Sequence, residues 1–247
     1  MRIIAWGIHL YTAMGLVAAA VIAVFIVQGT TQSLYWALAL MWLANIIDGS
    51  DGALARHFSV KEVLPQFDGR RLDDLTDFLT YTFLPLLFCW RARLLTGSMN
   101  LWLIVPLLAS AYGFCQSEAK TDDGYFLGFP SYWNVIVLYL FLLEPGALAS
   151  VLIMMGFAFL TFIPARYLYP TQPGRLNHIT LVLSILWAIL LGWVFWRLLY
   201  PVAYEKPFGE GLRLVIRASL IFPAYYLIAS WFVSVQIAWT QRSTRKL

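Results

Sequence analysis

The sequence predicts an all-α polytopic membrane protein with about eight transmembrane helices. Three observations carry that expectation. Hydrophobic residues make up 61% of the 247-residue chain and charged residues only 12%, whereas soluble domains are about 25% charged. Mean hydropathy is +0.72. Apolar runs of about 20 residues, enough to cross a bilayer, recur between turn residues. No long polar linker, low-complexity stretch or repeat interrupts them, so residues 1–247 read as a single transmembrane domain.

The spans are expected at roughly 8–28, 33–56, 69–91, 98–117, 130–145, 147–168, 177–200 and 212–240. The first apolar run, Leu10 to Val27, exceeds the about 7–15 residues of a signal-peptide core and reads as a retained span. Gly29, Thr96-Gly97, Pro145-Gly146, Pro173-Gly174 and Pro207 to Gly211 supply the breaks. The fifth span is short, with Pro130 suited to its first turn. Seven spans result if it is re-entrant, and six is the minimum. Cys89 and Cys115 sit in apolar segments without metal or redox spacing and read as packing residues.

Charge orients the helices. With eight spans, one side holds Arg2, Arg56, Lys61, Arg70, Arg71, Lys120, Arg166, Arg175, Arg242, Arg245 and Lys246. The other holds Arg91, Arg93, Arg197, Lys206, Arg213 and Arg217. The excess of cations places both termini in the cytoplasm. The net charge of +4 is therefore explained by orientation and anionic lipid, and no nucleic-acid partner is expected.

Seven of the 13 acidic residues fall between Asp48 and Asp77. Asp48 and Asp51 are three apart on the second span, with Asn45 three before on the same face. Gly69, Asp73 and Asp77 are spaced four and four on the third. If the two stripes face each other, four carboxylates surround one point at the cytoplasmic interface. Like charges repel at such a site, and divalent cations offset the repulsion. Oxygen ligands suit Mg²⁺, Mn²⁺ or Ca²⁺ rather than Zn²⁺, and paired ions are a common device of phosphoryl chemistry. Gly52 and Ala55 leave room beside the backbone, and Arg56 is placed to bind phosphate. Glu62, Asp68 and Asp74 read instead as interfacial charges pairing with Arg70 and Arg71.

"DGSDGALAR", a spacer of twelve residues and "GRRLDDLTD" together resemble the signature of the CDP-alcohol phosphotransferase family. Asp48, Asp51, Gly52, Ala55, Arg56, Gly69, Asp73 and Asp77 match it. The usual spacer is shorter. The longer "HFSVKEVLPQFD", "HLYTAMG" in the first span (His9, Thr12, Gly15) and "DGYFLGFPSYWN" are similar to the bacterial, phosphatidylcholine-forming branch. Eight spans fit that branch, a six-helix core plus two.

The resemblance implies that domain 1–247 is catalytic and lies in a bacterial inner membrane with its active site cytoplasmic. Its substrates would be CDP-diacylglycerol and choline, with CMP released among membrane lipids. Asp48, Asp51, Asp73 and Asp77 would hold two Mn²⁺ or Mg²⁺ ions, with Asp77 also the candidate general base. Thr12, Asn45, Gly52, Ala55, Arg56 and Gly69 would meet the nucleotide diphosphate. Many members are dimers, so a homodimer is an expectation to test.

Choline calls for aromatic faces around a quaternary ammonium and a carboxylate. Tyr81, four after Asp77, is the first candidate, followed by Glu118, Tyr132, Trp133 and Asn134. Most of the eleven tryptophans belong to interfacial belts. Arg166, Arg175 and His178 are candidates for lipid phosphate or simply satisfy the charge rule that orients the helices, and His9 and His57 read as structural or solvated. Alternatives keep the fold but change the alcohol to serine, inositol or glycerol phosphate, or join CDP-choline to diacylglycerol. A cation transporter with intramembrane acids is the remote alternative; it requires neither Gly52, Ala55 nor Arg56.

Overall fold

The computed structural model describes residues 1–121, 123–200 and 209–244. Lys206, Arg245 and Lys246, counted in the charge bias, lie outside the described residues, as do positions 207 and 208 of the expected Pro207–Gly211 break. The chain is an all-α membrane protein carrying one small β-ribbon. Among the described residues four segments, Arg2–Gln28, Gly97–Cys115, Arg175–Leu199 and Glu210–Thr240, are long and apolar enough to cross a membrane. Their outward faces are apolar, with Val17, Val21 and Val24 on the first and Ile185, Ile189 and Trp193 on the third exposed. A soluble protein does not leave such faces to water.

The helices form two compact units, described separately. The first comprises Met1–Leu108 and Tyr132–Met154. Helix α1 (Arg2–Gln28) ends at Gly29, whose φ of 62° is left-handed, the conformation a glycine cap supplies. Arg91 donates to the Gln28 carbonyl there at 3.2 Å, a cation at a helix C-terminus. The ends of the first and third expected spans therefore lie together, as parallel spans require. Helix α2 (Thr31–His57) starts at Thr30, whose hydroxyl accepts from the Ser33 N–H at 3.1 Å.

The twelve-residue spacer is not slack. Ser59 turns the chain with a left-handed φ of 48°, and a single helical turn, α3 (Val60–Val63), follows. Val60 and Leu64 bury themselves against Ala5 and Ile8 of α1, with Ala55, Phe58 and Val63 packed around them. The added residues thus form an apolar plug under the N-terminal turns of α1. Asp68 caps α4 (Gly69–Asp77) by accepting from the Arg71 N–H at 3.2 Å. Asp68 also pairs with Arg71 at 3.0 Å, and Asp74 with Arg70 at 4.0 Å, the roles expected for these two acids.

The third expected span is continuous but not uniform. After α4, Phe78–Phe83 winds as a π-helix before α5 (Leu84–Arg91). Pro85 has no N–H to give the Tyr81 carbonyl, and in an α-helix its ring would collide with that carbonyl. Widening the preceding turn relieves both problems. A 3₁₀ turn (Gly97–Leu103) leads into α6 (Ile104–Cys115). The fifth expected span shortens to α7 (Trp133–Leu143), because left-handed Ser131, at φ 55°, and the N-cap Tyr132 keep Pro130 out of its first turn.

Helix α8 (Ala147–Thr161) crosses from the first unit to the second, which holds Ala109–Ser131 and Met155–Leu247. It ends before residue 168, the expected end of the sixth span. The reason is a ribbon: β1 (Tyr125–Leu127) pairs antiparallel with β2 (Arg166–Leu168). Helices α9 (Arg175–Leu199), α10 (Glu210–Ser219) and α11 (Ile221–Thr244) follow. The eighth expected span is divided at Leu220, just before Pro223. An open ribbon edge needs hydrogen-bond partners, and α11 provides them. Ser234 and Ser230 accept from the Arg166 and Leu168 N–H groups at 3.0 and 3.1 Å. Tyr226 donates to the Leu168 carbonyl at 3.0 Å. The spacing 226, 230, 234 is one helical stripe.

Candidate active site

The site lies within the first unit, where α1 packs against α2 and α4. One carboxylate oxygen from each of Asp48, Asp73 and Asp77 lies within 4.8 Å of the others. Asp48 comes from α2, and the other two from α4. The expected stripe on α4 is therefore real, and it faces Asp48. Asp51 does not join that group of three. It sits three residues further along α2, about 4.5 Å by helical rise, and is buried at 5% exposure. All four acids nevertheless line one cleft, with Thr12, Gly15, Ala44, Ile47, Thr76 and Thr80.

Close helix approach makes this cleft narrow. A Cβ on Gly15 would run into Thr76 Cγ2, and one on Gly69 would stand 2.6 Å from the His9 ring. Small residues at 15 and 69 let α1 and α4 touch. Tyr11 and Ser50 share a hydrogen bond at 2.8 Å, which ties α1 to the middle of the aspartate motif. The hydroxyls of Thr12, Thr76 and Thr80 each bond a carbonyl of their own helix. The carboxylates are thus the acidic groups of the lining. Three half-buried carboxylates this close repel one another, and a cation offsets that. An all-oxygen donor set of this kind fits a hard divalent ion.

The remaining expected residues divide. Arg56 is exposed and folds back, its Nη1 3.3 Å from where a Gly52 Cβ would be. Ala55 joins the apolar plug. Asn45 is committed to protein partners: its amide donates to the Met41 and Trp42 carbonyls, and its oxygen accepts from Asn134 at 2.8 Å. That bond anchors the start of α7 to α2. Trp133 is fully buried, whereas Tyr132 is half-buried with its ring 5.8 Å from that of Tyr81. Tyr81 donates to Asp48 Oδ2 at 2.6 Å.

Glu118, Arg166, Arg175 and His178 belong to the second unit. Glu118, Arg175 and His178 are exposed, and Arg166 pairs with Asp123 at 3.2 Å. Sequence reasoning passed over Thr76 and Thr80, each three residues after a site aspartate, a spacing that could have found them. Gly49 faces open space. The His9 ring packs on that of Phe67, 4.4 Å between centroids.

A family model described as CDP-alcohol phosphatidyltransferase matches residues 9–204, a stretch containing every residue of the cleft. The chain belongs to this family. It is similar to the phosphatidylcholine synthase of Borreliella burgdorferi, 31% identical over 94% of this chain and 95% of that protein. It is likewise similar to the phosphatidylcholine synthase of Legionella pneumophila, 36% identical over 92% and 88%. That of Pseudomonas aeruginosa is 35% identical over 76% and 78%. As a member of the CDP-alcohol phosphatidyltransferase family, the chain is a membrane-embedded phosphatidyltransferase whose acidic triad can hold a divalent metal.

Proposed function

We propose that the chain transfers the phosphatidyl group of CDP-diacylglycerol to choline, releasing CMP. The observation that carries this reading is the convergence of Asp48, Asp73 and Asp77 in a chain whose relatives are phosphatidylcholine synthases. In the transfer the choline oxygen bonds to the lipid-side phosphorus. The bond from that phosphorus to the bridging oxygen breaks, and CMP leaves with the electron pair. Asp77 takes the hydroxyl proton, the general-base role. Asp48, Asp51, Asp73 and Asp77 are the proposed holders of two Mn²⁺ or Mg²⁺ ions, which when bound would neutralise diphosphate charge.

Thr12, Asn45, Gly52, Ala55, Arg56 and Gly69 are assigned to the nucleotide diphosphate. Thr12 in the cleft lining and the exposed Arg56 guanidinium support this most directly. Asn45 acts at one remove, by holding α7. The Tyr81 and Tyr132 rings beside Asp48 are proposed for choline, with Trp133 and Asn134 supporting Tyr132; Glu118 is proposed for choline on its charge alone. Arg166, Arg175 and His178 are proposed for lipid phosphate. The charge bias supports a bacterial inner-membrane location with termini and active site cytoplasmic. The family match runs through both units, in keeping with one catalytic domain, and a homodimer is the proposed assembly.

Purified protein in nanodiscs, given CDP-diacylglycerol, Mn²⁺ and a panel of alcohols, tests the reading. CMP release is expected with choline. Release with serine, inositol or glycerol phosphate but not choline would replace the acceptor. Silence with every alcohol would favour transport.

A further inference from the structure

The Tyr81 hydroxyl has a task separate from that of its ring. It donates to Asp48 Oδ2 at 2.6 Å across 33 residues of sequence. The side chain is 7% exposed, and it springs from the π-helical turn that Pro85 imposes. The donor therefore comes from a packed, backbone-defined position. Its acceptor belongs to the group of three carboxylates that close within 4.8 Å. A carboxylate on a helix rotates about its last torsion, and a short charge-assisted hydrogen bond to one oxygen fixes that rotation. Groups that orient metal-binding carboxylates in this way commonly govern metal affinity.

We infer that Tyr81 is a positioning residue that holds Asp48 in the orientation a divalent cation needs. The inference rests on the metal-site reading proposed above. It makes the ring and the hydroxyl separable: the ring is available to an ammonium group, while the hydroxyl acts through Asp48. Tyr81→Phe keeps the ring and removes only the hydroxyl. Phenylalanine still offers a π face, so any ring contact with choline survives the change.

The test is Mn²⁺ binding to the purified protein in nanodiscs, read from loss of the free-ion electron paramagnetic resonance signal. Tyr81→Phe is expected to raise the Mn²⁺ Kd by about 10–100-fold. An unchanged Mn²⁺ Kd overturns the inference. If the unsubstituted protein binds no Mn²⁺, the metal-site reading itself fails, and the inference falls with it. Equal thermal unfolding of the two proteins in detergent would show that loss of fold is not the cause of a raised Kd.

Discussion

Replacing Asp77 with asparagine is expected to lower turnover by about 10²–10⁴-fold, the usual weight of a general base. Asparagine keeps the size of the side chain but has no carboxylate to receive the choline proton. CDP-diacylglycerol binding should largely survive. Asp48 and Asp73 remain from the convergent group, Asp51 remains in the cleft wall, and Arg56 is untouched. Single-turnover CMP release, paired with a lipid-binding measurement in nanodiscs, separates the two effects. A variant that turns over normally would remove Asp77 from the role of base. A variant that no longer binds CDP-diacylglycerol would make Asp77 chiefly a binding residue.

The second large effect is steric. Gly15→Ala should impair the enzyme, and adding Thr76→Ser should restore much of what is lost. A Cβ at position 15 meets Thr76 Cγ2, while Thr76 Cβ stands at 3.8 Å, an ordinary contact distance. Serine at 76 removes the offending methyl but keeps the hydroxyl that donates to the Leu72 carbonyl at 2.9 Å. Forcing an extra methyl between the helices costs about 1–3 kcal/mol. Both residues line the cleft, and a displacement of about 1 Å can cost about 100-fold in rate. The single variant is therefore expected to lose about 10–100-fold in kcat/KM, and the double variant to recover to within severalfold. An unaffected Gly15→Ala, or a double variant no better than the single, would contradict the packing argument.

The parts legible in the sequence were those written in local spacing. The apolar runs announced the helices, and the four-residue spacing of Gly69, Asp73 and Asp77 placed both acids on one face. Asp68 and Asp74 paired with Arg71 and Arg70, as neighbours on a helix do. What escaped was set by long-range contact or by backbone irregularity. The three-residue strands of the ribbon are too short to announce themselves, and their partner hydroxyls lie some sixty residues away on α11. The π turn could have been suspected from Pro85 inside an otherwise helical run. That its tyrosine would find Asp48 required the packing of α2 against that turn. Nor could the spacer be read as an apolar plug, because Val60 and Leu64 acquire their partners only when α1 closes over them. Asp51 shows the opposite lesson. Shared spacing set it on the face of Asp48 and in the wall of the same cleft, yet it stands outside the group of three.

The fate of labelled choline tests the proposed transfer most directly. Choline carrying ¹⁴C, with CDP-diacylglycerol and Mn²⁺, should yield labelled phosphatidylcholine and CMP in equal amounts, and chelation of the metal should stop both. Labelled lipid formed only from CDP-choline and diacylglycerol, or CMP released while choline stays in the aqueous phase, would contradict it.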